Sequence, residues 1–344
     1  MTTAQHQQIV LDATSLGKTY RRPRQFGRRS ATPAPALIDA SIRLMRGSTL
    51  GVIGESGSGK TTLARCLTVL ERPDTGTVLL NGTDLTTLRG KALRAQRRNI
   101  QTVFQDPYSS LNPSQTVGSA LEEVLRVHRL TAPRARAGRV RELLDLVGLP
   151  AAAAQRRPAE FSGGQRQRVC IARALAAEPT VLIADEAVSA LDVSIQAQIL
   201  NLLLSLQSEL HLSMIFISHD LHVVDYVADS TVVMFAGRIV ERRYGRSALS
   251  ELAHPYSALL ARTTPQLTER PDGAALRTPP PQRERGDADR AAQLTGCPFR
   301  LRCPEVMPIC AEEDPRLRPW QPDHDVACHL HGSDGSVEHE GEPA

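Results

Sequence analysis

The stretch Gly54-Glu55-Ser56-Gly57-Ser58-Gly59-Lys60-Thr61-Thr62 decides how this chain folds: it packs three glycines against one of the chain's three lysines. It fits G-x-x-x-x-G-K-[ST], where glycines let successive backbone N–H groups curl around a chain of phosphates. The next helix begins at the turn, so its free N–H groups and its dipole favour an anion there. Lys60 would reach the outer phosphates, and the Thr61 hydroxyl would hold a Mg²⁺ ion that bridges phosphate oxygens. The flanks agree. Thr49-Leu50-Gly51-Val52-Ile53 is a short apolar run suited to a buried parallel strand, and Leu63, Leu67 and Leu70 follow the loop at helical spacing. A plain glycine turn has no need of this strand, loop and helix order.

The 344 residues can bury a substantial core and suit one large domain with an appendage. Charged residues make up 23% and hydrophobic ones 41%, ordinary for a globular protein. No run approaches 18 apolar residues, and MTTAQHQQIV lacks a basic start with an apolar signal core, so a cytosolic chain is expected. A net charge of +4 and 3% aromatics give no prompt for nucleic acid. The densest basic run, Arg21 to Arg29, lies among Pro23, Gly27, Pro33 and Pro35 and reads as an exposed loop.

Ile9 to Asp106 reads as strands and turns around the glycine loop. A helical texture then runs from Pro107, and RVRELLDLVGL puts Val140, Leu143, Leu144 and Val147 on one face. Thr180-Val181-Leu182-Ile183-Ala184 is a fully apolar strand ending in Asp185 and Glu186. After it, SIQAQILNLLLSLQ carries Ile195, Ile199, Leu202 and Leu206 on one stripe, and SMIFI and LHVVDYVA repeat the alternation. That order predicts an α/β fold with a mainly parallel sheet covered by helices. Residues 263–292 read as a proline-rich linker, 293–330 as a small extension with four cysteines, and 331–344 as a disordered tail.

Two adjacent acids at the C-terminal end of an apolar strand would lie beside a phosphate loop, since ligands in open α/β sheets sit at those ends. Asp185 could then support the Mg²⁺ shell and Glu186 could polarise a water aimed at the γ-phosphate. In Phe161-Ser162-Gly163-Gly164-Gln165-Arg166-Gln167-Arg168, Ser162 would cap a helix while Gly163 and Gly164 let a phosphate approach backbone N–H groups. One chain needs only one γ-phosphate cradle, so this second turn either serves a partner's nucleotide or is a mere helix start.

With these motifs in this order, from about Ile9 to Ala261, the chain resembles the ATP-binding subunits of ABC transporters. The resemblance implies a P-loop ATPase domain over residues 1–262, with an antiparallel β subdomain and a helical subdomain at about 107–178. It implies that Gly54 to Thr62 bind ATP and that Thr61, Gln105 and Asp185 bind Mg²⁺. Glu186 would be the general base, with Gln105 and His219 assisting hydrolysis. Tyr20, in SLGKTY, would stack on adenine; without the resemblance it is an ordinary aromatic. Ser162, Gly163, Gly164 and Gln165 match the signature that closes over ATP held by an opposing subunit, and Asp192 matches the loop that crosses the dimer. Phe161 and Ala187-Val188 depart from the family pattern without touching these groups.

QDPYSSLNP, SALDVSIQAQILNLL and HPYSALL resemble the oligopeptide and dipeptide permease branch, and the chain looks most like its second ATPase. That implies a homologous sister ATPase, two transmembrane permease subunits and an extracytoplasmic binding protein. It also implies a place at the cytoplasmic face of the membrane, with no nucleic acid partner. Peptide cargo follows from kinship alone; nickel or another small cargo, and a soluble ABC ATPase of DNA repair or translation, stay open.

Cys297, Cys303, Cys310 and Cys328 are four of six cysteines, and in a cytosolic chain they suggest metal rather than disulfide. Close C-x₂-C pairs are missing, while iron–sulfur clusters also take four thiolates. Similar permease ATPases carry a [4Fe-4S] cluster in such a segment. The expectation is therefore that cluster, ahead of Zn²⁺ aided by His324 or His329, as a staple for a segment too small for its own core. Cys66 and Cys170 read as packing residues.

Overall fold

A computed structural model describes residues 8–20, 34–189, 191–245, 252–263, 291–292 and 294–331. The basic run at Arg21 to Arg29, and nearly all of the expected linker and tail, fall outside these residues.

The chain opens with β1 (Ile9–Tyr20), β2 (Ala34–Met45), β3 (Thr49–Ile53) and α1 (Lys60–Leu67), followed by β4 (Thr75–Leu80) and β5 (Thr83–Asp84). Strands β2-β1-β4-β5 form a four-stranded antiparallel sheet. Next come α2 (Gly90–Arg97), β6 (Ile100–Val103), α3 (Pro107–Ser110), α4 (Val117–His128), α5 (Arg136–Leu146) and α6 (Gly163–Leu175). The strand-and-turn reading of the first hundred residues misses α2, because GKALRAQR buries only Leu93 and so carries no apolar stripe. The expected α1 stripe also ends early: Val69 has a left-handed backbone and Leu70 is exposed.

The remaining elements are β7 (Val181–Asp185), α7 (Val193–Leu210), β8 (Ser213–Ser218), α8 (Leu221–Val227), β9 (Ser230–Phe235), β10 (Arg238–Arg243), α9 (Pro255–Thr263), α10 (Ile309–Glu312), β11 (Arg318–Gln321) and β12 (His324–Val326). The main sheet runs β11-β12-β10-β9-β3-β8-β7-β6. From β9 to β6 its neighbours are parallel, and β10, β12 and β11 add to the edge antiparallel. The fold class is therefore an α/β cassette with a mixed sheet and an antiparallel subdomain.

Every residue of β7 and β8 is buried, as strands covered on both faces must be. Alternate side chains divide between two cores. Leu182, Ala184, Met214 and Phe216 pack with the helical layer, including Leu121, Leu143, Val169 and Ile199. Val181, Ile183, Ile215 and Ile217 face α1 and the antiparallel sheet. The predicted α5 face holds, with Val140, Leu143, Leu144 and Val147 all buried; on α7 Ile199 and Leu206 are buried as expected, but Ile195 and Leu202 are only partly so, and Leu200 and Leu203 complete the buried stripe.

The C-terminal extension departs from expectation. It is joined to the cassette, since β12 pairs with β10 and Cys297, Phe299 and Cys310 share the helical-side core. A sheet edge and a shared core therefore anchor this segment to the rest of the fold.

Candidate functional site

Strand register gathers the site. Ile53 lies level with Ser218 and Val233, Asp185 with Ile217, and Val103 with Ala184. Gly54, Glu186, His219 and Gln105 therefore leave β3, β7, β8 and β6 at one edge, the carboxyl edge where open α/β sheets take ligands.

The loop after β3 turns into α1 at Gly59, whose φ of 107° and whose approach to Ala36 exclude a side chain: a Cβ would fall 2.6 Å from the Ala36 carbonyl oxygen. The two-residue hairpin turn between β9 and β10 braces the loop, with the Gly237 N–H donating to the Ser58 carbonyl at 2.9 Å. Lys60 is buried, and its Nζ donates to the Gly54 and Glu55 carbonyls at 2.7 and 2.9 Å. Burial pulls its pKa down, opposed by the carboxylates of Glu186 and Asp185. The ammonium thus rests on its own loop, 3.8 Å from Glu186 Oε1.

Asp185 is buried, and burial raises its carboxyl pKa, helped by Glu186 and opposed by Lys60 and by a hydrogen bond from Thr61. Its Oδ1, like Ser58 Oγ, is buried without a hydrogen-bond partner. An orphaned carboxylate oxygen beside a threonine hydroxyl is the oxygen donor set a hard divalent cation takes, so these residues fit Mg²⁺. The unmatched Ser58 hydroxyl and the buried lysine fit a phosphate chain on the same grounds.

Glu186 has a φ of 49°, a left-handed backbone that costs a non-glycine residue about 1–3 kcal/mol. Its N–H donates to the Ile217 carbonyl at 3.0 Å, fixing the turn against β8. Oε1 also stands 3.8 Å from His219 Nδ1, and that imidazole is exposed. Gln105 is exposed and donates to Ser189 Oγ at 3.5 Å, which donates to the Glu186 carbonyl at 3.0 Å. A carboxylate flanked by a lysine, a histidine and an open face can accept a proton from a water held there. Tyr20, at the end of β1, donates its hydroxyl to Glu71 and lies within hydrogen-bond reach of Thr62.

The second glycine turn stands apart. Ser162 caps α6: its Oγ accepts the Gln165 N–H at 3.3 Å, and Gln165 Oε1 accepts the Ser162 N–H at 3.1 Å. Gly164 serves packing, because a Cβ there would fall 2.5 Å from Ile195 Cγ2 on α7. Gly163 meets nothing closer than Leu191 Cδ2 at 3.5 Å. Among the described residues, no hydrogen bond or ion pair joins Ser162 to Gln165 with this chain's own phosphate loop. Asp192, at the N-cap of α7, is exposed and makes no capping bond.

The expected metal site does not assemble as drawn from sequence. Cys297, Cys303, Cys310 and Cys328 are all free, and the Cys297 N–H donates to the Cys310 carbonyl at 2.8 Å. Burial pushes the Cys328 thiol up to about 11, and the other three sulfurs push the same way, so the four thiols lie within electrostatic reach. Yet among the described residues no group of three or more His, Cys, Asp or Glu side chains is set to hold a metal ion. His324 is committed elsewhere, with Nε2 2.6 Å from Glu241 Oε1, and His329 Nε2 lies 3.0 Å from the Glu313 carbonyl. Cys66 and Cys170 are buried, as packing residues should be.

Besides Gly237, sequence reasoning missed two residues from the C-terminal region that touch the loop. The Glu55 N–H donates to Tyr256 Oη at 2.8 Å, and Arg302 makes two 2.9 Å bonds to the Glu55 carboxylate. Tyr256 stands in HPYSALL, a stretch that marks a branch without disclosing a contact 201 positions away. Nothing in the sequence around Arg302 points to it.

Comparison with known proteins agrees with this geometry. A family profile described as ABC transporter matches residues 37–189, and one described as the oligopeptide/dipeptide transporter C-terminal region matches 240–310. The oligopeptide transport ATP-binding protein AppF of Bacillus subtilis is 41% identical over 96% of this chain and 99% of its own length. A putative peptide import ATP-binding protein of Brucella ovis is 44% identical over 93% of this chain and 97% of its own. Among solved structures, the dimeric, ADP- and phosphate-bound post-hydrolysis state of the ATP-binding cassette MJ0796 superposes with a TM-score of 0.60. It is 27% identical, covering 69% of this chain and all of that one. These likenesses and the strand-end constellation define an ABC-type ATPase. Within that class, the chain belongs to the ABC transporter ATP-binding proteins of the oligopeptide/dipeptide permease family.

Proposed function

We propose that this chain is the ATP-hydrolysing subunit that powers a peptide importer, and that its hydrolytic machinery is the constellation at the carboxyl edge of β3, β6, β7 and β8. The observation that carries the reading is the convergence there of Lys60, Asp185 and Glu186, with an orphaned Asp185 oxygen beside Thr61.

In this reading Gly54 to Thr62 cradle the phosphates, and Lys60 exchanges its loop carbonyls for the outer phosphates. Thr61 and Asp185 hold Mg²⁺, with Gln105 facing the same shell; the ion supplies neutralisation of the phosphate charge. Glu186 accepts the proton of the attacking water, while His219 lies against the γ-phosphate and Tyr20 stacks on adenine. The turn Ser162 to Gln165, with Asp192 nearby, closes on ATP bound to a sister ATPase. Closure and reopening of the pair would drive two permease subunits fed by an extracytoplasmic binding protein. No helix among the described residues is long and apolar enough to cross a membrane, which suits a subunit docked at the cytoplasmic face of its permeases.

The test is the complex reconstituted in vesicles with its binding protein. ATP-driven uptake of a labelled oligopeptide is the expected result; uptake of nickel but not peptide, or no uptake, overturns the cargo. Purifying the protein anaerobically decides the [4Fe-4S] assignment to Cys297, Cys303, Cys310 and Cys328. That assignment rests on cysteine content and on the mutual reach of the thiols, against described residues whose side chains form no cage. Iron with acid-labile sulfide supports it, and zinc alone or no metal removes it.

A further inference from the structure

The C-terminal extension reaches the phosphate loop through one side chain. Arg302 lies between Cys297 and Cys310, and its guanidinium grips Glu55 in parallel, Nη1 to Oε2 and Nη2 to Oε1, both at 2.9 Å. Both side chains are largely withdrawn from solvent, at 22% and 14% exposure, so the pair escapes most of the screening that weakens surface ion pairs. Aromatic packing sets the arginine: its guanidinium lies 5.6 Å from the Phe299 ring and 5.9 Å from Phe235. Phe235, Phe299 and Tyr256 pack on one another with centroids 4.6 to 5.4 Å apart, and Tyr256 Oη accepts the Glu55 N–H. The backbone and the side chain of Glu55 are thus both held by residues far beyond the loop.

The charge explains why such a grip is needed. Glu55 is an acid in a loop whose other features favour an anion. Its carboxylate is near enough to raise the pKa of Lys60. Left unpaired, it would compete with the phosphates for that ammonium and repel them directly. A bidentate guanidinium cancels the charge and fixes the carboxylate's direction. We propose that Arg302 is a positioning residue for ATP: by masking and holding Glu55, the C-terminal extension keeps the phosphate loop receptive to a triphosphate. The inference rests on the reading of Gly54 to Thr62 as the ATP cradle, and deepens it.

The experiment is calorimetric titration of the full-length chain with ATP, comparing wild type with Arg302→Ala, Arg302→Lys, Glu55→Gln, the double variant Arg302→Ala/Glu55→Gln, and Lys60→Ala. Arg302→Ala is expected to weaken ATP binding about fivefold to tenfold, the usual size of coupling within one ion-pair network. Arg302→Lys should lose less, since an ammonium keeps the charge but not the fork. The double variant should return to within about twofold of wild type, because no carboxylate is left to mask, which a merely structural role of Arg302 would not produce. In the assembled complex, Arg302→Ala should raise the KM for ATP while leaving kcat nearly unchanged. Wild-type affinity in Arg302→Ala, or failure of Glu55→Gln to restore it, overturns the proposal. Should Arg302→Ala not fold, Arg302→Lys with and without Glu55→Gln carries the same comparison. Lys60→Ala separates the two levels: if it binds ATP like wild type, the cradle reading itself falls, whereas loss of binding there with an indifferent Arg302→Ala sinks only the masking role.

Discussion

The helices α1 and α6 both start at glycine-bearing turns, and the two starts are built on opposite plans. At α1 the N-cap is Gly59, which offers no side-chain bond, and the turn keeps Ser58 Oγ unmatched and Lys60 folded onto carbonyls. That start is braced from outside, by Gly237 of the β9–β10 turn and by Tyr256 and Arg302 from the C-terminal region. At α6 the turn satisfies itself: Ser162 and Gln165 close a reciprocal capping box, and Gly164 locks against Ile195. A turn that must reorganise around phosphates keeps polar groups unspent and relies on neighbours for its shape. If the second turn closes on a nucleotide brought by another subunit, as proposed above, it has to be rigid before the ligand comes.

The largest expected effect tests whether chemistry belongs to the first plan alone. Glu186→Gln keeps the shape of the side chain and removes the proton acceptor, so turnover by the assembled complex should fall about 10²–10⁴-fold. ATP binding by the isolated chain should stay within about twofold. Near-normal turnover would move the base away from β7 and leave the 3.8 Å approaches of Lys60 and His219 to Glu186 without a catalytic meaning.

The next effect probes the outside brace. His254 is buried and accepts the Tyr256 N–H through Nδ1 at 3.0 Å, so it supports the tyrosine that meets Glu55. Burial pulls its pKa down to about 4, although the Glu241 carboxylate pulls the other way and His331 adds to the fall. In the unfolded chain the group titrates near 6.5. As the pH drops below that value the unfolded chain takes up a proton that the folded chain refuses until about 4. Stability is therefore lost across this window, by up to about 3 kcal/mol. Glu241 acts in the same direction at lower pH. Burial raises its pKa, but the bonds from His324, Ser257 and the Ala253 N–H together hold it below its usual value. Urea unfolding at several pH values measures this, and His254→Asn, which keeps an acceptor but cannot titrate, should flatten the slope between pH 6.5 and 4. An unchanged slope would show that the brace is insensitive to this group.

The two plans were not equally legible in the sequence. Local patterns sufficed for the loop, the strand acids, the helical face of α5, half of that of α7 and the Ser162 cap, because each depends on residues within a turn or two of one another. α2 escaped because one buried leucine makes no stripe. The brace escaped because Tyr256, Arg302 and Glu241–His324 act across 83 to 247 positions, a range at which no periodicity leaves a mark. The cysteines hid a different fact. Their density in a short segment suggested a metal staple, and local spacing gave no sign that strand pairing with β10 and a shared core also anchor that segment.

The smallest effect is also the sharpest test of the second plan. Ser162→Ala removes the hydroxyl that caps α6 and should cost about 1 kcal/mol of stability in urea unfolding, the usual worth of a serine cap. Because among the described residues no hydrogen bond or ion pair ties this turn to the chain's own loop, ATP affinity of the isolated chain should not change. Turnover by the assembled complex should fall all the same if, as proposed, the loosened turn is the one that meets the sister subunit's nucleotide. Loss of the isolated chain's own ATP affinity would place both glycine turns on a single nucleotide and erase the division of labour between them. Unaltered turnover with the expected loss of stability would reduce the second turn to a helix cap, leaving the phosphate loop as the only part of this chain that needs a triphosphate.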